Sequence, residues 1–288
     1  MRVRRIGAAL AAAAALTMGL AACGQGGGAG SGGGAAKGIV DKAKESKKLV
    51  IGIKIDQPGL GLRKPDGSFA GFDVDVAKYV AKELGVPESG VEFKEAQSAN
   101  REAFIKQGQV DMVVATYSIT DKRKKEVSFA GPYFITGQDI LVRADDNSIT
   151  DVESLKNKKV CGSQGSASPQ RLAEKFGASW ASKNLKQVQG YGGCVPLLEN
   201  KTVDAISTDA SILAGYGTQF PGKFKLVGKP FSEEKYGIGI KLEDKAGRDA
   251  INKAIEKMFQ DGSWKKAIEA NFGEFAKNFP NPPTVEKY

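Results

Sequence analysis

Along this chain the apolar positions switch between strand-like runs and four-residue spacing, and the switches mark its elements. Residues 110–115 form a nearly unbroken, valine-rich apolar run, which reads as a buried strand. The run stops at Thr116-Tyr117-Ser118-Ile119, and Thr120 and Asp121 then open a short helix with Arg123 in its first turn. Residues 48–55 read as an earlier strand, 56–61 as a loop, and 68–75 as the lead into a helix. In that helix Val76, Val80 and Leu84 recur every four residues and define a buried face. Further strands are expected at 91–94, 138–142, 159–162 and 236–240, with helices at 100–107, 151–156 and 249–272. Ile251, Ile255, Met258 and Phe259 line one side of the closing helices, with Trp264 and Ile268 beyond. Strands alternating with helices predict an α/β fold.

The pattern occurs twice. AFIKQGQVDMVVAT (103–116) and PLLENKTVDAISTD (196–209) each run from a helix end through Val-Asp into a strand that closes on a polar residue. Val110 matches Val203 and Thr116 matches Asp209, so the offset is 93 residues in both cases. A spacing that long predicts two lobes of one design rather than a solenoid. Two facing strand ends make a cleft, and ligands of open α/β sheets bind where strands end and helices begin.

The amino terminus belongs to targeting. Arg2, Arg4 and Arg5 precede an Ala/Leu-rich run ending at Leu20-Ala21-Ala22-Cys23, too short and alanine-rich for a comfortable membrane span. It fits an export signal, and Leu-Ala-Ala-Cys resembles the lipobox, which implies cleavage before Cys23 and acylation of its thiol. Lipid at Cys23 anchors a chain without spanning the bilayer. Residues 25–36 are Gly-rich and predict a flexible tether. Roughly 240 residues follow the tether, enough for two lobes with substantial cores.

Charge and composition narrow the chemistry. The chain has 42 Lys+Arg; without the three arginines of 1–22 there remain 39 against 33 Asp+Glu, a balance of +6 spread along the sequence. No basic stripe interleaves with aromatics, so nucleic-acid binding has little support. A mildly positive field favours anionic solutes or an acidic envelope surface. There is no histidine, which removes His-based triads and most zinc sites. Asp73 and Asp75 fail the calcium-loop pattern and read as helix-start acids, so no metal or other cofactor is expected.

Several residues stand between a structural and a binding role. Arg123 in a helix's first turn opposes the macrodipole unless an anion lies near, though Lys122, Lys124 and Lys125 also allow a solvated run. The loop 163–167 empties into a helix with Ser168 as N-cap and Pro169 as first residue, a ready anion site of a common kind. Asp209 is either a plain N-cap or a ligand anion. Cys161 and Cys194 fall at a strand end and a helix start; export permits a disulfide, and two buried thiols are the alternative.

GFDVDVAKYVAKELG, ATYSITDKRKKEVSFAGPYF and VDAISTDASILAGY resemble signatures of the solute-binding proteins of ABC importers for polar amino acids, over about residues 48–272. IGIKIDQPGLGL and the Cys161/Cys194 pair are similar to the glutamate-binding lipoproteins of Gram-positive bacteria in particular. The resemblance implies a two-lobed periplasmic-binding-protein-like fold (type II), its lobes joined by two hinge strands near 140–144 and 229–236. The expected organisation is signal peptide 1–22, Gly-rich tether 23–46, lobe one 47–142 and 235–275, lobe two 143–234, and a C-terminal tail 276–288.

It also implies a monomeric, lipid-anchored protein on the outer face of the cell membrane that hands an acidic amino acid, glutamate first, to a membrane permease. Arg123 would take the ligand's α-carboxylate, aided by the N–H groups of Ser118 and the helix start at Ser166 and Ala167. Asp209 would take the α-ammonium with Thr116 and the Ser118 carbonyl. Lys54 and Arg101 would hold the side-chain carboxylate, with Tyr191 reaching the same end. Gln57 and Ser98 stand where related binders place aromatic rings, which argues against arginine or histidine as ligand. Aspartate or glutamine remain alternatives. So, less favourably, do a dehydratase-like enzyme on the same scaffold and a stand-alone sensor, for which no membrane helix or signalling domain follows Phe272.

Overall fold

The computed structural model describes residues 37–279 and 281–287; the export signal, Cys23 and the Gly-rich stretch up to residue 36 lie outside them. The tether was expected to reach residue 46, but helix α1 (Ile39–Ser46) replaces its last part. Ile39 and Ala43 turn one face of α1 into the core, and the Asp244 carboxylate accepts the Ile39 N–H at 2.7 Å, satisfying an orphan donor of the first turn. Lys42 adds an ion pair to Asp111 at 2.7 Å.

Strand β1 (Leu49–Ile53) leads to three short strands, β2 (Asp56–Gln57), β3 (Gly61–Arg63) and β4 (Phe69–Ala70), which pair as a small antiparallel sheet. Helix α2 (Phe72–Glu83) buries Val76 and Val80, as their spacing predicts, with Leu84 partly buried beside them. Then come β5 (Val91–Glu95), α3 (Arg101–Lys106), β6 (Met112–Val113), α4 (Asp121–Lys124) and β7 (Ser128–Thr136). The second half holds β8 (Gln138–Arg143), β9 (Val160–Ser163), α5 (Ala167–Phe176), α6 (Ala178–Asn184), β10 (Leu185–Val188), α7 (Cys194–Glu199), β11 (Ala205–Asp209), α8 (Ala210–Gln219) and β12 (Phe224–Leu226). β13 (Glu234–Ile240), α9 (Lys245–Gln260) and α10 (Ser263–Phe272) complete the order.

Two five-stranded sheets carry the lobes, in the orders β5-β1-β6-β13-β7 and β10-β9-β11-β8-β12. Position by position they match: three parallel strands, then one strand antiparallel to them, then an edge. β6 and β11, the strands of the 93-residue repeat, both take the third place, so the repeat corresponds to the centres of two like sheets.

The first crossing differs from the expected 140–144. β7 pairs with β13 up to Thr136, and β8 begins two residues later in the other sheet, so the chain changes lobes at Gly137. A Cβ on Gly137 would stand 2.5 Å from the Ser232 carbonyl oxygen, which requires glycine where the two crossings touch. The buried Asp139 carboxylate ties them further, accepting the N–H groups of Gly228 at 3.0 Å and Lys229 at 3.3 Å.

The largest apolar cluster runs from Leu49 and Phe72 through Tyr236 to Leu141, Ile206 and Leu213, and so includes side chains of both sheets. The residues after 275, expected as a tail, fold back because Phe275, Phe279 and Val285 have this core to cover. The Phe279 ring lies 4.5 Å from Phe134, and the Glu286 N–H donates to the Gly131 carbonyl on edge strand β7 at 2.8 Å.

Cys161 on β9 and Cys194 at the start of α7 are joined by a disulfide, with Cα atoms 5.7 Å apart. The bond closes a loop with a sequence separation of 33, for which chain entropy gives about 4 kcal/mol of stabilisation. The double variant Cys161→Ser, Cys194→Ser is therefore expected to unfold at clearly lower urea concentration. An unchanged midpoint would show that the bond does not constrain the unfolded chain.

Candidate functional site

The strand ends of both sheets meet at the seam between the lobes. Lys54 follows β1 and is 5% exposed; its Nζ donates to Ser98 Oγ at 2.8 Å. Among the described residues it makes no ion pair, and burial, then the neighbouring Arg101, holds its pKa well below the ordinary lysine range. Gln57, at the end of β2, is buried and accepts from Thr116 Oγ1 at 3.1 Å.

Thr116, after β6, has a φ of 45°, an uncommon backbone state for a β-branched residue. Its N–H donates to Asp73 Oδ2 at 2.8 Å, and the Tyr133 hydroxyl donates to Asp73 Oδ1 at 2.8 Å. Asp73 was expected to be a helix-start acid. It does stand in the first turn of α2, but its side chain is fully buried and points inward, and burial pushes its pKa up to about 6. Arg101 approaches from the other side. Its Nη1 donates to the carbonyls of Ala115 at 3.0 Å and Thr116 at 3.3 Å, and its Nε to that of Ser98 at 3.3 Å. Burial, then Arg123, lowers the Arg101 pKa to about 10.

Arg123 is set by its helix. The Thr120 hydroxyl caps α4 by accepting the Arg123 N–H at 3.2 Å. The guanidinium Nη1 then donates to the Ser118 carbonyl at 2.8 Å, while Nη2 reaches across the seam to the Gly165 carbonyl at 3.0 Å. Glu102 lies 3.3 Å from its Nε. The solvated Lys/Arg run fails for this residue, which is 8% exposed. Arg101 and Arg123 both lie over the Tyr117 ring, at 4.1 and 5.0 Å from its centroid, a cation–π support that the spacing of charges alone did not reveal.

In the second lobe the helix start lies two residues earlier than expected. Ser166 is the N-cap residue of α5 and Ala167 its first residue, with Ser168 and Pro169 already inside the buried first turn. The Ser166 hydroxyl accepts from the Tyr191 hydroxyl at 2.9 Å. Gly165 has a φ of 73°, and a Cβ there would stand 2.4 Å from Ala99 Cα, so glycine lets the two lobes touch. A second contact joins them where the Gly192 N–H donates to Asp56 Oδ2 at 2.9 Å.

Asp209 ends β11 at the N-cap position of α8, yet its side chain makes no capping bond. The Tyr236 hydroxyl donates to Oδ2 at 2.6 Å, and Oδ1 is buried without a partner among the described residues. An ordinary N-cap does not look like this. Burial, then the Glu234 carboxylate, pushes the Asp209 pKa up, while Arg171 and Arg123 oppose the shift. Glu234 is itself buried and paired with Arg171 at 2.6 Å.

Two grooves follow the seam. One, of about 450 Å³, is lined by Arg123, Ser166 and Ala167, and the other, of about 400 Å³, by Lys54, Asp56 and Gly192. Thr116, Ser118, Tyr191 and Asp209 line neither and are buried. The seam thus buries three cations, Lys54, Arg101 and Arg123, and Arg123 acts on the Asp209 carboxylate, one oxygen of which lacks a donor among the described residues. That set can hold a small solute bearing both signs of charge. Among the described residues no group of three or more Cys, Asp or Glu could hold a metal ion, and no helix is long and apolar enough to cross a membrane.

The model of a family described as bacterial extracellular solute-binding proteins, family 3, matches residues 49–274. The glutamate-binding protein GluB of Corynebacterium glutamicum is 42% identical over 280 residues, which cover 94% of this chain and 91% of that protein. The ABC transporter glutamine-binding protein GlnH of Bacillus subtilis is 38% identical over 248 residues, covering 85% and 89%. Among solved structures, an ancestral arginine-binding protein bound to arginine superposes with a TM-score of 0.73 at 37% identity, covering 79% of this chain and 99% of that one.

Proposed function

Because the chain belongs to the bacterial extracellular solute-binding proteins of family 3, we propose that it captures an acidic amino acid, L-glutamate before others, between its lobes and delivers it to the permease of an ABC importer. The observation that carries the choice of ligand is Lys54, a buried lysine whose ammonium bonds a hydroxyl and, among the described residues, is in ion-pair contact with no carboxylate, Asp56 and Asp73 acting on it only from farther away. A desolvated cation of that kind is tolerated where an anion completes its coordination. The ligand's side-chain carboxylate supplies it.

The rest of the ligand follows from its backbone charges. The α-carboxylate lies on Arg123 in a bidentate fork, with the Ser118 N–H and the start of α5 at Ser166 and Ala167 as further donors. The α-ammonium takes the unpartnered oxygen of Asp209, with Thr116 and the Ser118 carbonyl beside it. Tyr191 closes the pocket from the second lobe. Two carboxylates and one ammonium meet an excess of protein cations, so the ligand's net negative charge offsets it.

Calorimetric titration of the tether-free protein with glutamate, aspartate, glutamine and asparagine tests this reading. Glutamate is expected to bind tightest. The 38% identity to a glutamine-binding protein makes glutamine the competitor to watch, and equal micromolar affinity for all four would defeat the assignment. Export and acylation at Cys23 complete the proposal and rest on Leu20-Ala21-Ala22-Cys23. Cys23→Ala is expected to release the protein into the medium or leave it unprocessed, and lipid labelling that persists in the variant would refute the anchor.

A further inference from the structure

The Thr116 peptide is gripped from both sides. Asp73 takes its N–H at 2.8 Å, and Arg101 donates to its carbonyl at 3.3 Å and to the preceding one at 3.0 Å. The grip holds a β-branched residue at a φ of 45°, a strained state that persists only where its surroundings over-determine it. Both gripping side chains are almost fully buried, and each is braced. Tyr133 donates to the second Asp73 oxygen, and the Tyr117 ring covers the Arg101 guanidinium at 4.1 Å. This effort is spent on a peptide two residues before Ser118, where the proposed ligand's backbone groups bind.

We infer that Asp73 and Arg101 are positioning residues that clamp the Thr116 peptide, and that Lys54, not Arg101, reads the ligand's side chain. The inference rests on the binding reading above and reassigns one of its residues. Arg101 was expected to hold the side-chain carboxylate, but its Nε and Nη1 point at the main-chain carbonyls of Ser98, Ala115 and Thr116. A guanidinium is suited to this work because its donors form a rigid planar fork that can serve several carbonyls at once. The Lys54 ammonium donates to Ser98 Oγ and keeps donors in hand, and Lys54 lines one of the two grooves where Arg101 lines neither. A residue that acts through the backbone affects every amino acid alike, because all share the groups that the backbone reads. A residue that meets the side chain affects the ratio between ligands.

The test uses the mature chain with Arg101→Met, Asp73→Asn and Lys54→Met, titrated with L-glutamate and L-glutamine. Arg101→Met and Asp73→Asn are each expected to weaken both ligands by about tenfold or more while leaving the glutamate-to-glutamine ratio within about twofold. Lys54→Met is expected to shift that ratio by about tenfold or more. An Arg101→Met variant that shifts the ratio as Lys54→Met does would overturn the assignment. If Arg101→Met fails to fold by circular dichroism, Arg101→Lys replaces it: it keeps the charge and loses the fork. Equal loss of both ligands then supports positioning, and selective retention of glutamate overturns it.

A ligand-independent readout keeps failure of the clamp apart from failure of the binding reading. Lys54, Arg101 and Tyr133 face the Asp73 carboxylate, whose pKa burial raises to about 6. In ¹⁵N–¹H spectra the Thr116 amide is expected to move with pH around that value and to stand still in Asp73→Asn. A Thr116 amide that ignores pH in the wild-type protein would overturn the clamp, even if both amino acids bind. A moving amide in a protein that binds neither would uphold the clamp and defeat the binding reading.

Discussion

Alanine in place of Asp209 is expected to weaken glutamate and aspartate alike, by about 2–5 kcal/mol or more, roughly thirtyfold to several-thousandfold. The size follows from burial. Asp209 is 5% exposed, one of its oxygens accepts from Tyr236, and the other is buried without a donor among the described residues. A ligand ammonium at that oxygen is desolvated with it, so removing the carboxylate leaves a buried charge uncompensated. Every α-amino acid carries the same ammonium, which is why the loss does not select among side chains. Arg123→Ala is expected to behave in the same way toward the α-carboxylate, and it also removes the bond from Nη2 to Gly165 across the seam. Calorimetry on both variants, with the fold checked by circular dichroism, decides the matter. Wild-type affinity in either would mean that the ligand's backbone is oriented differently.

Aspartate in place of Lys54 should cost glutamate about 3 kcal/mol, on the order of a hundredfold, and cost glutamine far less. A cation with a single hydroxyl partner suits a carboxylate; an amide in the same place supplies too few acceptors for it. The substitution reverses the charge, so glutamate loses a charge-assisted bond and meets repulsion. Glutamine's amide can donate to the new carboxylate, whose charge is offset by nearby Arg101. A lysine solvated at a strand end would give no change, but Lys54 is only 5% exposed. Both ligands are measured against both proteins, and a glutamate-to-glutamine ratio that survives the substitution would remove Lys54 from the pocket.

Elements with a strong period were legible in the sequence. α2 and the corresponding strands β6 and β11 of the two sheets announce themselves by four-residue spacing and by a repeat, and the two sheets have the like topology that the repeat implies. Elements that depend on a distant partner were not. α1 offers little beyond Ile39, Val40 and Ala43 among charged residues, and becomes a helix of the fold through Asp244, more than 200 positions away. The lobe crossing was misplaced because β8 is buried on both faces, and its apolar centre, Ile140-Leu141-Val142, carries no mark of which sheet it joins.

In the site the chemistry was legible by residue type and the division of labour was not. Charged residues at strand ends pointed to a polar ligand. That Asp73 turns inward to Thr116, or that Arg101 serves carbonyls, depends on side-chain direction, which a helix-start acid or a first-turn arginine does not disclose. Tyr117 lies inside a run already singled out, and two arginines close to it in sequence were the available signal of a ring between charges.

Helix α1 has a mechanical consequence. The contacts described for it, to α9, Asp111 and Asp244, all belong to the first lobe. A pull on the chain at Lys37 is taken up there, through the Asp244 cap and the Lys42–Asp111 pair. The second lobe is joined to the first by the chain at Gly137 and at the return before β13, and by the contacts from Arg123 to Gly165 and from Gly192 to Asp56. Load that enters the described residues at their amino-terminal end therefore meets the first lobe before the second.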